Sequence, residues 1–88
     1  MEEIRIYEQR IKKGLYRHFK GNYCELVGFA YHSEDMSCMV VYRALYGDRE
    51  MWVRPVSMWE EYVERDGERY RRFEFVSSEI PEHLKEKG

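Results

Sequence analysis

Four turn signals cut residues 15–76 into short segments: Gly21-Asn22, the polar run from His32 to Ser37, Gly47-Asp48 and Asp66-Gly67. Glycine, asparagine and aspartate tolerate the left-handed backbone that tight turns need, so these positions punctuate the chain. Between them apolar residues recur with a period of two, the spacing of a strand. "LYRHFKG", "YCELVGFAYH", "CMVVYRAL", "EMWVRPV" and the close of "VERDGERYRRFEFV" therefore read as strands, about five in all. Asp66-Gly67 marks a hairpin, after which Phe73 and Phe75 fall on one side.

Helical signals are brief. Ile4, Tyr7 and Ile11 share one face of a short amphipathic helix over residues 2–13, stopped by Gly14. Ser57 and Glu60 have capping-box spacing, which predicts one helical turn near residues 58–62. The polar tail, residues 77–88, is expected to be loosely ordered, with Pro81 opening a short helix. The expected fold is mainly β: a small SH3-like, partly open barrel of about five strands. A short helix precedes it, and one helical turn comes before the last strands. At 88 residues the chain makes a single domain, residues 1–88.

Charge narrows the partners. Fifteen Lys/Arg against 17 Asp/Glu give a net −2, so no bulk attraction to nucleic acid operates. The two cysteines, Cys24 and Cys38, form no C-x-x-C pair, and with His18, His32 and His83 they give no zinc spacing. Neither a metal nor another cofactor is expected. The chain shows neither a membrane-length apolar run nor a signal-peptide pattern, and it reads as cytoplasmic with reduced thiols.

Turn chemistry also sets an expected register. With Gly47-Asp48 as a two-residue turn, Trp52 falls opposite Arg43 and Arg54 opposite Val41. A turn centred on Glu34-Asp35 pairs His32 with Ser37, Gly28 with Val41 and Leu26 with Arg43. One face then holds Val27, Phe29, Tyr31, Val40, Tyr42, Ala44, Met51, Val53 and Pro55, the expected core. The other collects Leu26, Gly28, Ala30, His32, Val41, Arg43, Trp52 and Arg54, with an Arg43–Trp52 cation–π contact. Cys24 and Cys38 fall on opposite faces, which excludes a disulfide between them.

Tyr16 to Gly21 ("YRHFKG"), His32 to Glu34 ("HSE"), Val40 to Tyr46 ("VVYRALY"), Trp52 to Pro55 ("WVRP") and Arg72-Phe73 recur in this order in a known pattern. On them the chain resembles bacterial domain-of-unknown-function family 1653, over a core of about residues 14–76. The resemblance implies a compact SH3-like β-barrel and brings no established activity with it.

The leading functional expectation is a non-enzymatic binding module for an anionic or aromatic small molecule, or an acidic partner segment. Arg43 and Arg54 would grip the negative group, Trp52 would stack, and His32 and Tyr46 would orient the ligand. Against it stands internal pairing of the arginines by Glu25, Glu50 or Glu60, with Trp52 plugging the barrel. An alternative is RNA or single-stranded DNA binding through Tyr16, Arg17, Phe19 and Lys20. A second is a small hydrolase or transferase using His32 with Glu34. Neighbouring strand residues point to opposite sides, however, and the bland reading of His32-Ser33-Glu34 is a hydrogen-bonded turn.

Overall fold

A computed structural model describes residues 3–85. The N-terminal helix α1 (Ile4–Arg10) is shorter than its apolar pattern, which continues into Ile11 at the C-cap. Ile11 is buried, and Ile4 and Tyr7 pack on the core beside it, so the helical spacing was a sound guide to the face. Gly14 does not stop the helix. It opens strand β1 (Gly14–His18) with a φ of +134°, and a Cβ there would collide with the Ser77 carbonyl.

Strands β2 (Tyr23–Tyr31), β3 (Cys38–Ala44) and β4 (Met51–Pro55) follow as an antiparallel meander. A helical turn, α2 (Val56–Trp59), comes next, then the hairpin β5 (Tyr62–Arg65) and β6 (Glu68–Arg71), and last β7 (Phe73–Ser77). Seven strands thus form two sheets among the described residues, one in the order β4-β3-β2-β1-β7, the other the β5–β6 hairpin. The fold is mainly β as expected, but the larger sheet does not close into a barrel. The Asp66-Gly67 turn forms as read, both residues having positive φ.

Two one-residue offsets alter the expected register. The pair Gly28–Val41 holds, as does the turn bond from the His32 N–H to the Ser37 carbonyl. Beyond Gly28 a bulge intervenes, so Leu26 pairs Tyr42 and Cys24 pairs Ala44. Leu26 thereby turns inward, nearly inaccessible to solvent, while Val27 is exposed. In the second hairpin the loop is longer than two residues: Gly47 and Arg49 both adopt positive φ, and the Ala44 N–H reaches the Glu50 carbonyl. Consequently Trp52 pairs Tyr42 and Arg54 pairs Val40, while Arg43 pairs Met51.

A one-residue slip exchanges the faces of a strand. Met51 and Val53, expected in the core, are exposed. Trp52 and Arg54 lie instead on the inner face with Cys38, Val40, Tyr42 and Ala44, and Arg43 is on the outer one. The expected Arg43–Trp52 contact is therefore absent. Cys24, directly across from Ala44, shares the inner face with Cys38 rather than opposing it. Ala44 and Cys38 are six residues apart on one strand, roughly 20 Å, so a disulfide remains out of reach.

The inner face is closed by Trp59 rather than Trp52. Trp59 stacks on Phe73 with centroids 4.0 Å apart, meets Tyr16 edge-on at 5.1 Å and lies tilted against Tyr42 at 5.1 Å. Its helical turn begins at Val56 with Pro55 as N-cap and has no side-chain cap, so the Ser57–Glu60 capping box does not form. Glu60 accepts from Arg10 Nε at 3.1 Å, fastening the first helix across the core. In the described part of the tail, Glu82–Leu84 forms a 3-10 turn after Pro81, and Arg49 Nη1 donates to the Leu84 carbonyl at 2.7 Å; residues 86–88 lie outside the described residues.

Candidate functional site

Strand alternation at the end of β1 sorts the "YRHFK" stretch onto two sides. Tyr16 points into the core, where its hydroxyl donates to the Lys12 carbonyl at 2.6 Å, and burial pushes its pKa up to about 12. His18 and Lys20 follow on the same side; Arg17 and Phe19 take the other. The turn closes tightly, with the Gly21 N–H on the His18 carbonyl and the His18 N–H on the Asn22 carbonyl, both 2.7 Å. His18, Lys20 and Asn22 are thereby gathered at one end of the open sheet.

There they line a cavity of about 170 Å³ with Tyr23, Cys24, Tyr42, Tyr46 and Arg54. Phe73 closes one wall; the Arg54 guanidinium lies 5.4 Å over its ring, and the His18 ring meets it edge-on at 5.0 Å. The lining contains two permanent cations, Arg54 and Lys20, and no carboxylate. Arg54 Nε is buried and, among the described residues, has no hydrogen-bond partner. A buried donor left unpaired costs roughly 1–3 kcal/mol, and more when charged.

His18 adds a third donor in neutral form. Its Nδ1 accepts the Lys20 N–H at 3.2 Å, which leaves the proton on Nε2. Burial, followed by the positive charges of Arg72, Arg54 and Lys20, lowers its pKa below the usual histidine value. Cys24 is no nucleophile at neutral pH, because burial drives its thiol up to about 12.

A second hollow of about 220 Å³ adjoins this cavity, sharing Tyr42, Ala44 and Tyr46 and adding Trp52 and the loop from Gly47 to Glu50. Of the five residues expected to bind ligand, Arg54, Tyr46 and Trp52 are thus brought together. Arg43 and His32 are not. Arg43 serves the opposite face, where Nη1 donates to the Arg49 carbonyl at 3.0 Å and fixes the 45–50 loop. His32 sits in the β2–β3 turn at the other end of β3, its Nδ1 accepting the Glu34 N–H at 3.1 Å. That turn is capped by His32 and Asp35. Asp35 Oδ1 accepts the Ser37 N–H at 2.9 Å, which lowers the carboxyl's pKa.

The nucleic-acid set also divides. Tyr16 is core, Lys20 belongs to the cavity, and Arg17 and Phe19 face a separate groove beside the β5–β6 hairpin. Sequence reasoning missed His18 and Tyr23 as cavity residues; the shared parity of Tyr16, His18 and Lys20 was the available signal. Among the described residues, no three His, Cys, Asp or Glu side chains come together as a metal site. Among them, too, no helix is long and apolar enough to cross a membrane.

Residues 14–75 match the model of a family described as a protein of unknown function, DUF1653. The chain belongs to the DUF1653 family. The matched span begins at the glycine that opens β1 and ends within β7, so the family unit is the five-stranded sheet with the Trp59 turn and the β5–β6 hairpin. A crystal structure of a DUF1653 protein from Bordetella bronchiseptica is similar at 33% identity, with a TM-score of 0.75. The similarity covers 84% of this chain and 97% of that one. No curated protein matches the chain.

Proposed function

We propose that this DUF1653 domain is a non-enzymatic binding module for a small anionic, preferably aromatic, molecule or an acidic chain end. The negative group enters the cavity between Arg54 and Lys20, with His18 as an added donor. The carrying observation is the buried Arg54 Nε without a partner in a lining free of carboxylates. An anionic oxygen there satisfies the donor and neutralises a cation that, among the described residues, no acid pairs with.

Size supports a group rather than a large cofactor. Drug-sized ligands occupy roughly 300–1,000 Å³, more than this cavity offers. The remainder of the ligand lies over Tyr46 and Trp52 in the adjoining hollow, where an aromatic ring has a stacking surface. Binding rather than catalysis is supported by the inert Cys24 thiol and by His18 and His32, whose Nδ1 atoms are held by backbone amides. Two buried cysteines that form no disulfide suit a reducing cytoplasm.

The test is an NMR titration of the full chain with inorganic phosphate and, separately, benzoate. Saturable shifts at His18, Lys20, Tyr46 and the Trp52 indole are expected, lost in Arg54→Gln and retained in Arg43→Gln. Equal affinity in a folded Arg54→Gln variant removes the assignment.

A further inference from the structure

The β5–β6 hairpin does more than reverse the chain: it builds one wall of an arginine-rich groove. A groove of about 660 Å³ runs between it and the end of β1, lined by Arg17, Phe19, Tyr62, Arg65, Asp66, Arg69, Tyr70, Arg71 and Glu74. The guanidinium groups of Arg17, Arg65, Arg69 and Arg71 make no ion pair or hydrogen bond among the described residues. The carboxylates that are engaged nearby go elsewhere: Glu61 lies 2.6 Å from Arg72 Nε, and Glu68 accepts the Tyr70 hydroxyl at 2.6 Å. Asp66 and Glu74 leave the lining with a surplus of two positive charges.

Aromatic rings interleave with these guanidinium groups. The exposed Tyr62 ring is approached by Arg69 at 4.5 Å and Arg71 at 5.0 Å. Tyr70 is exposed as well, while Phe19 has Lys20 at 5.8 Å and Arg72 at 5.9 Å from its ring. The hairpin is fixed to the main sheet by two bonds of 3.0 Å, from the Arg72 N–H to the Glu61 carbonyl and from the Phe19 N–H to the Arg72 carbonyl.

We propose that this groove binds single-stranded nucleic acid, its phosphates on the four unpaired arginines and its bases against Tyr62, Tyr70 and Phe19. Cations alone would suit any polyanion. Rings set between the cations favour a polyanion that carries a flat, unpaired base beside each phosphate, which a duplex does not present. The overall charge of −2 does not oppose this, because exposed charges more than about 8–10 Å away are screened at physiological salt. This surface is distinct from the anion cavity: His18 and Lys20 line one, Arg17 and Phe19 the other.

The experiment is fluorescence anisotropy of the full chain with labelled oligouridylate and oligothymidylate; preference between the two reads out contact with the 2′-hydroxyl. Four neutralised phosphates give a salt slope near −2.8, so raising salt from 50 to 200 mM should weaken binding roughly 50-fold. Arg65→Glu/Arg69→Glu should abolish binding, with folding confirmed by tryptophan fluorescence. Should that double variant fail to fold, Arg17→Gln decides by lowering the slope by about 0.7. Tyr62→Ala should weaken binding by a factor between about five and 150. Arg54→Gln should bind as wild type, which separates this surface from the cavity. Absence of binding to both oligonucleotides at 50 mM salt overturns the proposal. So does binding only to phosphatidylserine vesicles or to a polyglutamate peptide, or a Tyr62→Ala variant of unchanged affinity.

Discussion

Arg54→Met separates a site from a structural keystone. The substitution keeps a long apolar stem against Phe73 and removes the charge. It also removes the buried Nε that has no partner, recovering roughly 1–3 kcal/mol in the ligand-free protein. Against that, the cation–π contact with Phe73, worth about 0.5–2 kcal/mol in a half-buried setting, is lost. The difference runs from about 1 kcal/mol against the variant to about 2.5 kcal/mol in its favour. For a domain of this size each kcal/mol moves the melting temperature by roughly 4–8 °C.

Urea denaturation of both proteins, with and without phosphate, reads the two halves of the argument. Without phosphate the variant should lie between about 1 kcal/mol below and about 2.5 kcal/mol above wild type. At phosphate about tenfold above its dissociation constant, wild type alone should gain about 1.4 kcal/mol. A ligand-free variant destabilised by more than about 1.5 kcal/mol would refute the reasoning, because Arg54 would then be holding the fold together. A residue whose removal leaves or raises stability while abolishing binding has the signature of a functional site.

Other outcomes follow from the core. Trp59→Ala empties the space stacked on Phe73 and should cost about 3–5 kcal/mol, a large part of a total expected near 4–13 kcal/mol, read as a shifted urea midpoint. His18 has a folded pKa below its unfolded value, so the unfolded chain binds the extra proton between the two; stability should fall as pH drops through and below about 6.5. His18→Asn should remove that slope, while the Asp35 contribution is lost only at lower pH, below the ordinary carboxyl range. Cys24 and Cys38 should react with Ellman's reagent only as fast as the domain opens, and oxidation should yield no intramolecular disulfide. Gly14→Ala should destabilise the β1–β7 pairing, seen as faster amide exchange at Tyr16 and Arg17.

The elements were legible because turn chemistry and strand period are local properties. Asp66-Gly67 adopts the turn it announced, and Ile4, Tyr7 and Ile11 face the core as their spacing required. Register was not legible, because it depends on two backbone irregularities. Gly28 inside a long strand was a cue for a bulge. No comparable cue marked Arg49, a non-glycine residue at a φ of 54°, held by tertiary bonds from Arg43 to its carbonyl and from its guanidinium to Leu84. A tight-turn rule applied to Gly47-Asp48 cannot anticipate bonds to residues 6 and 35 positions away.

That offset has a cost that bears on what the inner face is for. With the expected two-residue turn, Met51 and Val53 would be buried and Arg54 solvated, the arrangement binary patterning favours. The chain instead leaves Val53 59% exposed and places Arg54 inside with an unsatisfied nitrogen. Pro55 already marks β4 as an edge strand, so nothing beyond β4 in the sheet compels this choice. Trp59, not β4, closes the core, so Trp52 and Arg54 are not needed there for packing. Local rules broken without a gain in packing concentrate at functional sites. On that ground the inversion of β4, held by the Arg43–Arg49 and Arg49–Leu84 bonds, agrees with the anion site proposed at Arg54.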